Sequence, residues 1–129
     1  MPFVLGTRSI QRLKGVHPDL VKVVYRAIEL STIDFTVLEG LRTLARQKEL
    51  FAARATTTMN SRHLTGHAVD LAPIVGGTVR WDWPLYHRLA KFIKAAAEDV
   101  DVPVEWGGDW KSFKDGPHWQ LPFAKYPKA

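Results

Sequence analysis

Apolar residues recur every three or four positions after Pro18, at Leu20, Val23, Val24, Ala27 and Ile28. That period lines one face of an α-helix, and proline suits a first helical position, where its missing N–H costs nothing. The spacing therefore predicts a core-facing helix from Pro18. From Asp34 to Val37 the period shortens to two, with Phe35 and Val37 alternating with polar neighbours, which predicts a short strand. Thr43 can cap a second helix running to about Ala55, with Leu44, Gln47, Leu50 and Phe51 along one face. A loop follows. The segment from His67 to Leu71 reads as a strand, with Ala68 and Asp70 on one face and His67, Val69 and Leu71 on the other. Asp82 can cap a long helix from about Trp83 to Glu98. Leu85, Leu89, Phe92, Ile93 and Ala96 form its apolar stripe, and Pro84 is tolerated in the first turn. Val104 to Trp106 and His118 to Leu121 are short strand candidates.

Helices mostly precede strands in this order. That fits an α+β class, with a small antiparallel sheet and packed helices, better than alternating βαβ units. No internal repeat or low-complexity linker divides the 129 residues, so a single domain over 1–129 is expected. A domain of this size buries roughly two-thirds of its unfolded surface, enough for an independent core.

Composition narrows the chemistry. A hydrophobic content of 46% and five tryptophans argue against disorder. The chain has no cysteine, so it has neither a disulfide framework nor a thiolate site, and any transition metal must be held by histidine and carboxylate. The net charge of +5 comes from scattered Lys and Arg. It gives either a solvated basic face or an attraction to an anionic envelope polymer such as murein; no nucleic-acid-binding motif favours nucleic acid as the partner. The first eight residues hold no long apolar run behind a basic start, so neither a secretory signal nor a membrane anchor is expected. Export would then need outside help.

Two segments carry candidate chemistry. They are Ser61-Arg62-His63-Leu64-Thr65-Gly66-His67-Ala68-Val69-Asp70 and Asp115-Gly116-Pro117-His118-Trp119-Gln120. Together they offer two imidazoles and a carboxylate as metal ligands, and a second carboxylate three residues ahead of the later histidine. That is the inventory of a hydrolytic zinc site, where three protein ligands leave a position for water. Gly66 allows a tight backbone path between His63 and Asp70, and Ala68 leaves space beside them. His67 would point away from Asp70 on a strand, His17 sits before Pro18 where it caps or packs, and His87 lies inside a helix. Asp115 also reads as a turn residue in Asp-Gly-Pro, and Arg42 as a surface arginine near a helix start. Trp106, Trp110 and Trp119 are candidates for core packing or for a cleft wall.

The first segment resembles the S-x-H-x-x-G-x-A-x-D pattern of D-alanyl-D-alanine-type zinc peptidases, and the second resembles their [DE]-x-x-H-W ending. Arg8-Ser9 with Leu13, residues 15–20, Asp34-Phe35-Thr36-Val37 with Glu39-Gly40-Leu41-Arg42-Thr43, and Trp106-Gly107-Gly108-Asp109-Trp110 resemble the phage endolysin branch of that family. That branch is similar to L-alanyl-D-glutamate endopeptidases, which cut the peptide stem of peptidoglycan. The resemblance implies a hedgehog/D-Ala-D-Ala-peptidase fold and zinc held by His63, Asp70 and His118. It also implies proton transfer by Asp115 and an oxyanion or substrate-binding role for Arg42, with Gln47 and Ser61 on family positions that line the cleft. Where some relatives carry Glu two residues after the last histidine ligand, this chain has Gln120, which can orient a neighbour but not exchange a proton.

The expectation is a zinc-dependent peptidoglycan endopeptidase acting on the L-alanyl-D-glutamate bond as a phage or prophage endolysin. It would be a monomer, made in the host cytoplasm and acting on the cell wall from the periplasm after holin-type release. Two alternatives stay open: a D-alanyl-D-alanine carboxypeptidase, and a non-catalytic zinc-bound wall-binding domain.

Overall fold

The computed structural model describes residues 3–54, 61–112 and 114–127. In chain order it contains α1 (Thr7–Arg12), α2 (Pro18–Leu30), β1 (Asp34–Glu39), α3 (Leu44–Ala52), β2 (Ala68–Val75), β3 (Thr78–Val79), α4 (Trp83–Asp99), β4 (Glu105–Trp106) and β5 (His118–Gln120). Short 3-10 turns at Arg62–Thr65 and Gly107–Asp109 precede β2 and follow β4. The sheet runs β1-β2-β5-β4, every pair antiparallel, with β3 hairpinned onto the far end of β2. This is the α+β architecture expected from the order of periodicities.

The helical stripes become the core. Leu20, Val23, Val24, Ala27 and Ile28 of α2 are all buried and pack with α4 against Phe35, Val37, Val69, Leu71, Trp119 and Leu121 from the sheet. Pro18 starts α2, and His17 caps it by accepting from the Asp19 N–H through Nδ1 at 3.1 Å. In α4 the inner face is Tyr86, Leu89, Ala90, Ile93, Ala96 and Ala97, so Leu85 and Phe92 of the predicted stripe lie only half-buried beside it. Asp82 stands at the N-cap of α4 but makes no capping hydrogen bond. Its carboxylate is drawn instead to Arg80 Nη2 at 2.5 Å.

Several elements extend or exceed the sequence reading. β2 runs on to Val75, and α1 and β3 are too short to leave a periodic signal. α1 covers the outer edge of β1: Ser9 Oγ accepts from Val37 N–H at 2.9 Å, and Arg12 Nη1 donates to Val37 O at 2.9 Å. These bonds occupy backbone groups that an open edge would otherwise offer to another strand. Thr43 caps α3 by accepting from Arg46 N–H at 3.1 Å. Gln47 is the buried residue of that helix, whereas Leu44 and Phe51 remain exposed, so the stripe does not enter the main core as a unit. The predicted end of this helix at Ala55 lies outside the described residues.

Ile93 is 1% exposed at the contact of α4 with the rest of the core. Ile93→Ala should lower the unfolding free energy by about 2–5 kcal/mol. Urea unfolding of parent and variant at matched metal concentration checks this; a loss below about 1 kcal/mol would show that the site collapses freely around the deletion.

Candidate metal centre

The sheet builds one side of the site by register. Asp70 on β2 stands directly opposite His118 on β5, and an irregularity between Val37 and Glu39 of β1 sets Glu39 opposite Asp70 on the other side. Directly opposed residues hold their Cβ atoms about 4.5–5.5 Å apart on one face, close enough for side chains to share an atom. Val69, Leu71 and Trp119 point the other way, into the core.

His63 arrives from the turn before β2. Ser61 caps that turn, its Oγ accepting from His63 N–H at 3.2 Å, and Thr65 Oγ1 donates to Arg62 O at 3.2 Å. The turn ends at Gly66 with φ +75°, where a Cβ would stand 2.2 Å from the Gly15 carbonyl oxygen. Both the left-handed backbone and the close approach require glycine. The chain can therefore reverse within a few residues and carry His63 back over Asp70.

His63 Nε2 lies 3.2 Å and His118 Nδ1 3.4 Å from the same Asp70 oxygen, and the ligand atoms of all three residues fall within 4.8 Å of one another. Among the described residues no other group of three such side chains gathers in this way. Each imidazole is fixed from behind. His63 Nδ1 is 2.8 Å from the Gly40 carbonyl, and His118 Nε2 is 2.8 Å from Gln120 Oε1. Gln120 Nε2 donates to Glu105 at 3.3 Å, which leaves its oxygen to accept from His118. Those acceptors hold the protons on the outer nitrogens, so the inner nitrogens turn lone pairs toward the carboxylate. Three electron-rich atoms facing one another need a proton or a cation between them, and this donor set can hold a metal ion.

The electrostatics register the same need for positive charge between these groups. Burial works against the Asp70 charge, but hydrogen bonds and positive charge from His118 and His63 outweigh it and hold the carboxyl well below its usual range. His118 is lowered by burial and then raised further by the Asp70 hydrogen bond and charge, with Gln120 and Asp115 adding to the rise, so its net shift is upward. Asp115 moves up, first because it is partly desolvated and then because Asp70 repels its charge; His118, His63 and Arg42 pull it back only in part. Asp115 therefore lies within electrostatic reach of the centre without joining it, and it remains open to solvent. Its backbone N–H donates to Gly107 O at 3.1 Å.

Arg42 sits beside this cluster. Its backbone N–H donates to His63 O at 2.9 Å, its guanidinium pairs with Glu39 through Nε and Nη2, and Nη1 donates to Gln47 Oε1 at 2.7 Å. Gln47 is wholly buried behind Arg42. Ser61 likewise acts on the site through the turn it caps. Trp110 lies with its ring centroid 5.1 Å from that of His118, whereas Trp106 and Trp119 are buried and stacked on each other at 5.7 Å. His17 and His67 pair at 5.5 Å away from the cluster, and His87 packs edge-on to Trp106. Sequence analysis gave no role to Glu39, which pairs with Arg42, or to the Gly40 carbonyl behind His63, which no side-chain pattern records.

Gln120→Leu removes the acceptor behind His118. Affinity for zinc, measured by competition with a chromogenic chelator, should fall by about 10–100-fold. Parental affinity would show that the amide does not orient the ring.

Residues 1–120 match the family described as phage L-alanyl-D-glutamate peptidase. The chain is 34% identical over 119 residues to the L-alanyl-D-glutamate peptidase of Escherichia phage T5, covering 89% of this chain and 87% of that protein. It is 38% identical over 98 residues to the L-alanyl-D-glutamate peptidase of Listeria phage A118, covering 76% of this chain but 34% of the longer relative. The crystal structure of the Serratia marcescens L-Ala D-Glu endopeptidase ChiX superposes with a TM-score of 0.91 at 48% identity, covering 97% of this chain and 95% of that one. With the match running from the first residue to the strand that carries His118 and Gln120, the chain belongs to the phage L-alanyl-D-glutamate peptidase family.

Proposed function

We propose that this chain is a zinc-dependent endopeptidase that hydrolyses the L-alanyl-D-glutamate bond of the peptidoglycan stem. The observation that carries the reading is the convergence of His63, Asp70 and His118 on one point, beside an open Asp115 and a fixed Arg42. The names of its relatives supply the bond, and that of a Bacillus subtilis relative, the peptidoglycan L-alanyl-D-glutamate endopeptidase CwlK, supplies the polymer. Two imidazole nitrogens and one carboxylate, with no thiolate, suit a catalytic zinc that keeps a position for water. When bound, zinc lowers the pKa of water to about 7 and polarises a carbonyl.

The protein's own groups divide the remaining work. Asp115 accepts the proton of the attacking water and returns it to the leaving amine, and its raised pKa brings it closer to the range where a carboxylate is an efficient base. Arg42 meets developing negative charge. A guanidinium has five N–H donors, and the bonds to Glu39 and Gln47 hold its plane while leaving others for substrate. Gln47 and Ser61 support this arrangement from behind, through Arg42 and the His63 turn. On this reading the chain works as a single-domain monomer, a phage or prophage endolysin reaching the wall from the periplasmic side after holin-type release. No helix among the described residues is long and apolar enough to cross a membrane.

Digestion of purified murein followed by mass analysis should yield new N-terminal D-glutamate. Released D-alanine would assign the chain to carboxypeptidase activity, and no product would leave it a zinc-bound wall-binding domain.

Asp115→Asn and Arg42→Ala separate chemistry from ligation. Both should retain about one zinc per chain, since neither is counted among the ligands, while the Asp115→Asn rate falls by roughly 10²-fold or more. Arg42→Ala should also lose much of its turnover. Parental turnover with zinc bound in either variant would remove that residue from the mechanism.

A further inference from the structure

Tyr86 stands in the first turn of α4, on the side of the core that meets the site. It is 4% exposed, and its hydroxyl is buried without a hydrogen-bond partner among the described residues. A hydroxyl withdrawn from water and left unpaired costs free energy, so its presence requires a reason. The packing around the ring indicates where the reason lies. A Cβ built on Gly116 would come within 2.9 Å of Tyr86 Cδ2, 3.1 Å of Cγ and 3.2 Å of Cε2, so the ring rests directly against the residue that follows Asp115. Trp106 Nε1 donates to the Gly116 carbonyl at 2.7 Å, and Trp83 meets the ring edge-on at 5.9 Å. The phenol is thereby held in place against the Asp115 turn.

Asp115 shows the complementary deficit. Its hydrogen bonds among the described residues run through the backbone, to Gly107 O and from His118 N–H, and none holds its carboxylate. Desolvation, followed by the charges of Asp115, Asp70 and Asp82 in that order, pushes the phenol up to about 12, so it keeps its proton and remains a donor. An unpaired buried donor therefore belongs to the ring that packs against Gly116, next in the chain to an unpinned carboxylate whose charge reaches it. In free enzymes such bonds are often long or poorly aligned, and they close when substrate binds.

We propose that Tyr86 is a positioning residue whose hydroxyl donates to the Asp115 carboxylate in the substrate-bound enzyme and holds it toward the reacting water. The proposal rests on the proton-transfer role of Asp115 given above. Packing alone would need only the ring, which phenylalanine also supplies.

Tyr86→Phe removes the oxygen and keeps the ring. On purified murein, kcat should fall by about 10-fold or more with KM within about twofold of the parent. Zinc should stay at about one per chain, and the Tm should equal or exceed that of the parent, because an unpaired buried hydroxyl has been deleted. In an Asp115→Ala background, where the acceptor is gone, the same substitution should change kcat by less than about twofold. Parental kcat in Tyr86→Phe overturns the proposal, as does a Tm that falls together with kcat, or an equal loss on top of Asp115→Ala. A parent enzyme that digests no murein fails the endopeptidase reading itself, whereas an active parent with an unaffected Tyr86→Phe variant fails this positioning role alone.

Discussion

The cross-strand pairing of Asp70 with His118 is the constraint on which the rest of the structure depends. These residues are far apart in sequence, and they meet because β2 and β5 pair in a single register, Ala68 with Gln120, Val69 with Trp119 and Asp70 with His118. Side chains alternate across a strand, so a slip of one residue would turn Asp70 into the core and Val69 into the site. The opposite face prevents that slip. Val69, Leu71, Trp119 and Leu121 are nearly or wholly inaccessible there, and Trp119 stacks on Trp106 of the neighbouring strand. The apolar core thus sets the geometry of the polar face, and α2 and α4 contribute to the centre without supplying a ligand to it.

Behind His63, His118 and Arg42 lies a layer of groups whose bonds run away from the centre. The Gly40 carbonyl holds His63, the Gln120–Glu105 pair holds His118, and Glu39 with Gln47 holds Arg42. Each restricts a rotation that would otherwise cost entropy when a metal or substrate binds. Environment also separates two carboxyls of the same kind. Asp70, between two imidazoles, is held strongly ionised, while Asp115, partly desolvated and repelled by Asp70, is moved toward protonation. A divergence of this sort is what the proposed division between a metal ligand and a proton carrier requires, without any difference in residue type. Gln120 fits the same scheme, because a group that only accepts from one ring and donates to one carboxylate has no need to ionise.

Local pattern carried much of the fold. The stripe of α2 was legible residue by residue, since a 3.6-residue period reports the buried face of a helix directly. The stripe of α4 was legible in part: Leu89, Ile93 and Ala96 turn inward, but Tyr86 and Ala90 share that face while Leu85 and Phe92 slip to its margin. For α3 the pattern identified the helix and its Thr43 cap and misjudged its surroundings, because burial of Leu44 or Phe51 depends on what lies across from them. α1 and β3 were too short to register, and the expectation that Asp82 caps α4 gave way to the competing charge of Arg80.

Sequence alone determined what could be written in short-range order: the helix periods, the proline and threonine starts, and two segments rich in histidine and aspartate. Those segments supplied the candidate ligand types, and the absence of cysteine from the chain excluded thiolate chemistry, since residue identity and spacing are properties of the chain itself. Tertiary structure alone decided which nitrogen of each imidazole faces inward, that Glu39 and Gln47 fix Arg42, and that the Tyr86 ring packs against the Asp115 turn with its hydroxyl buried. The reason is physical. Register and burial arise between residues that the chain separates by tens of positions, and even close neighbours such as Glu39, Arg42 and Gln47 pair only once the fold turns their side chains together, so no local period encodes the partner.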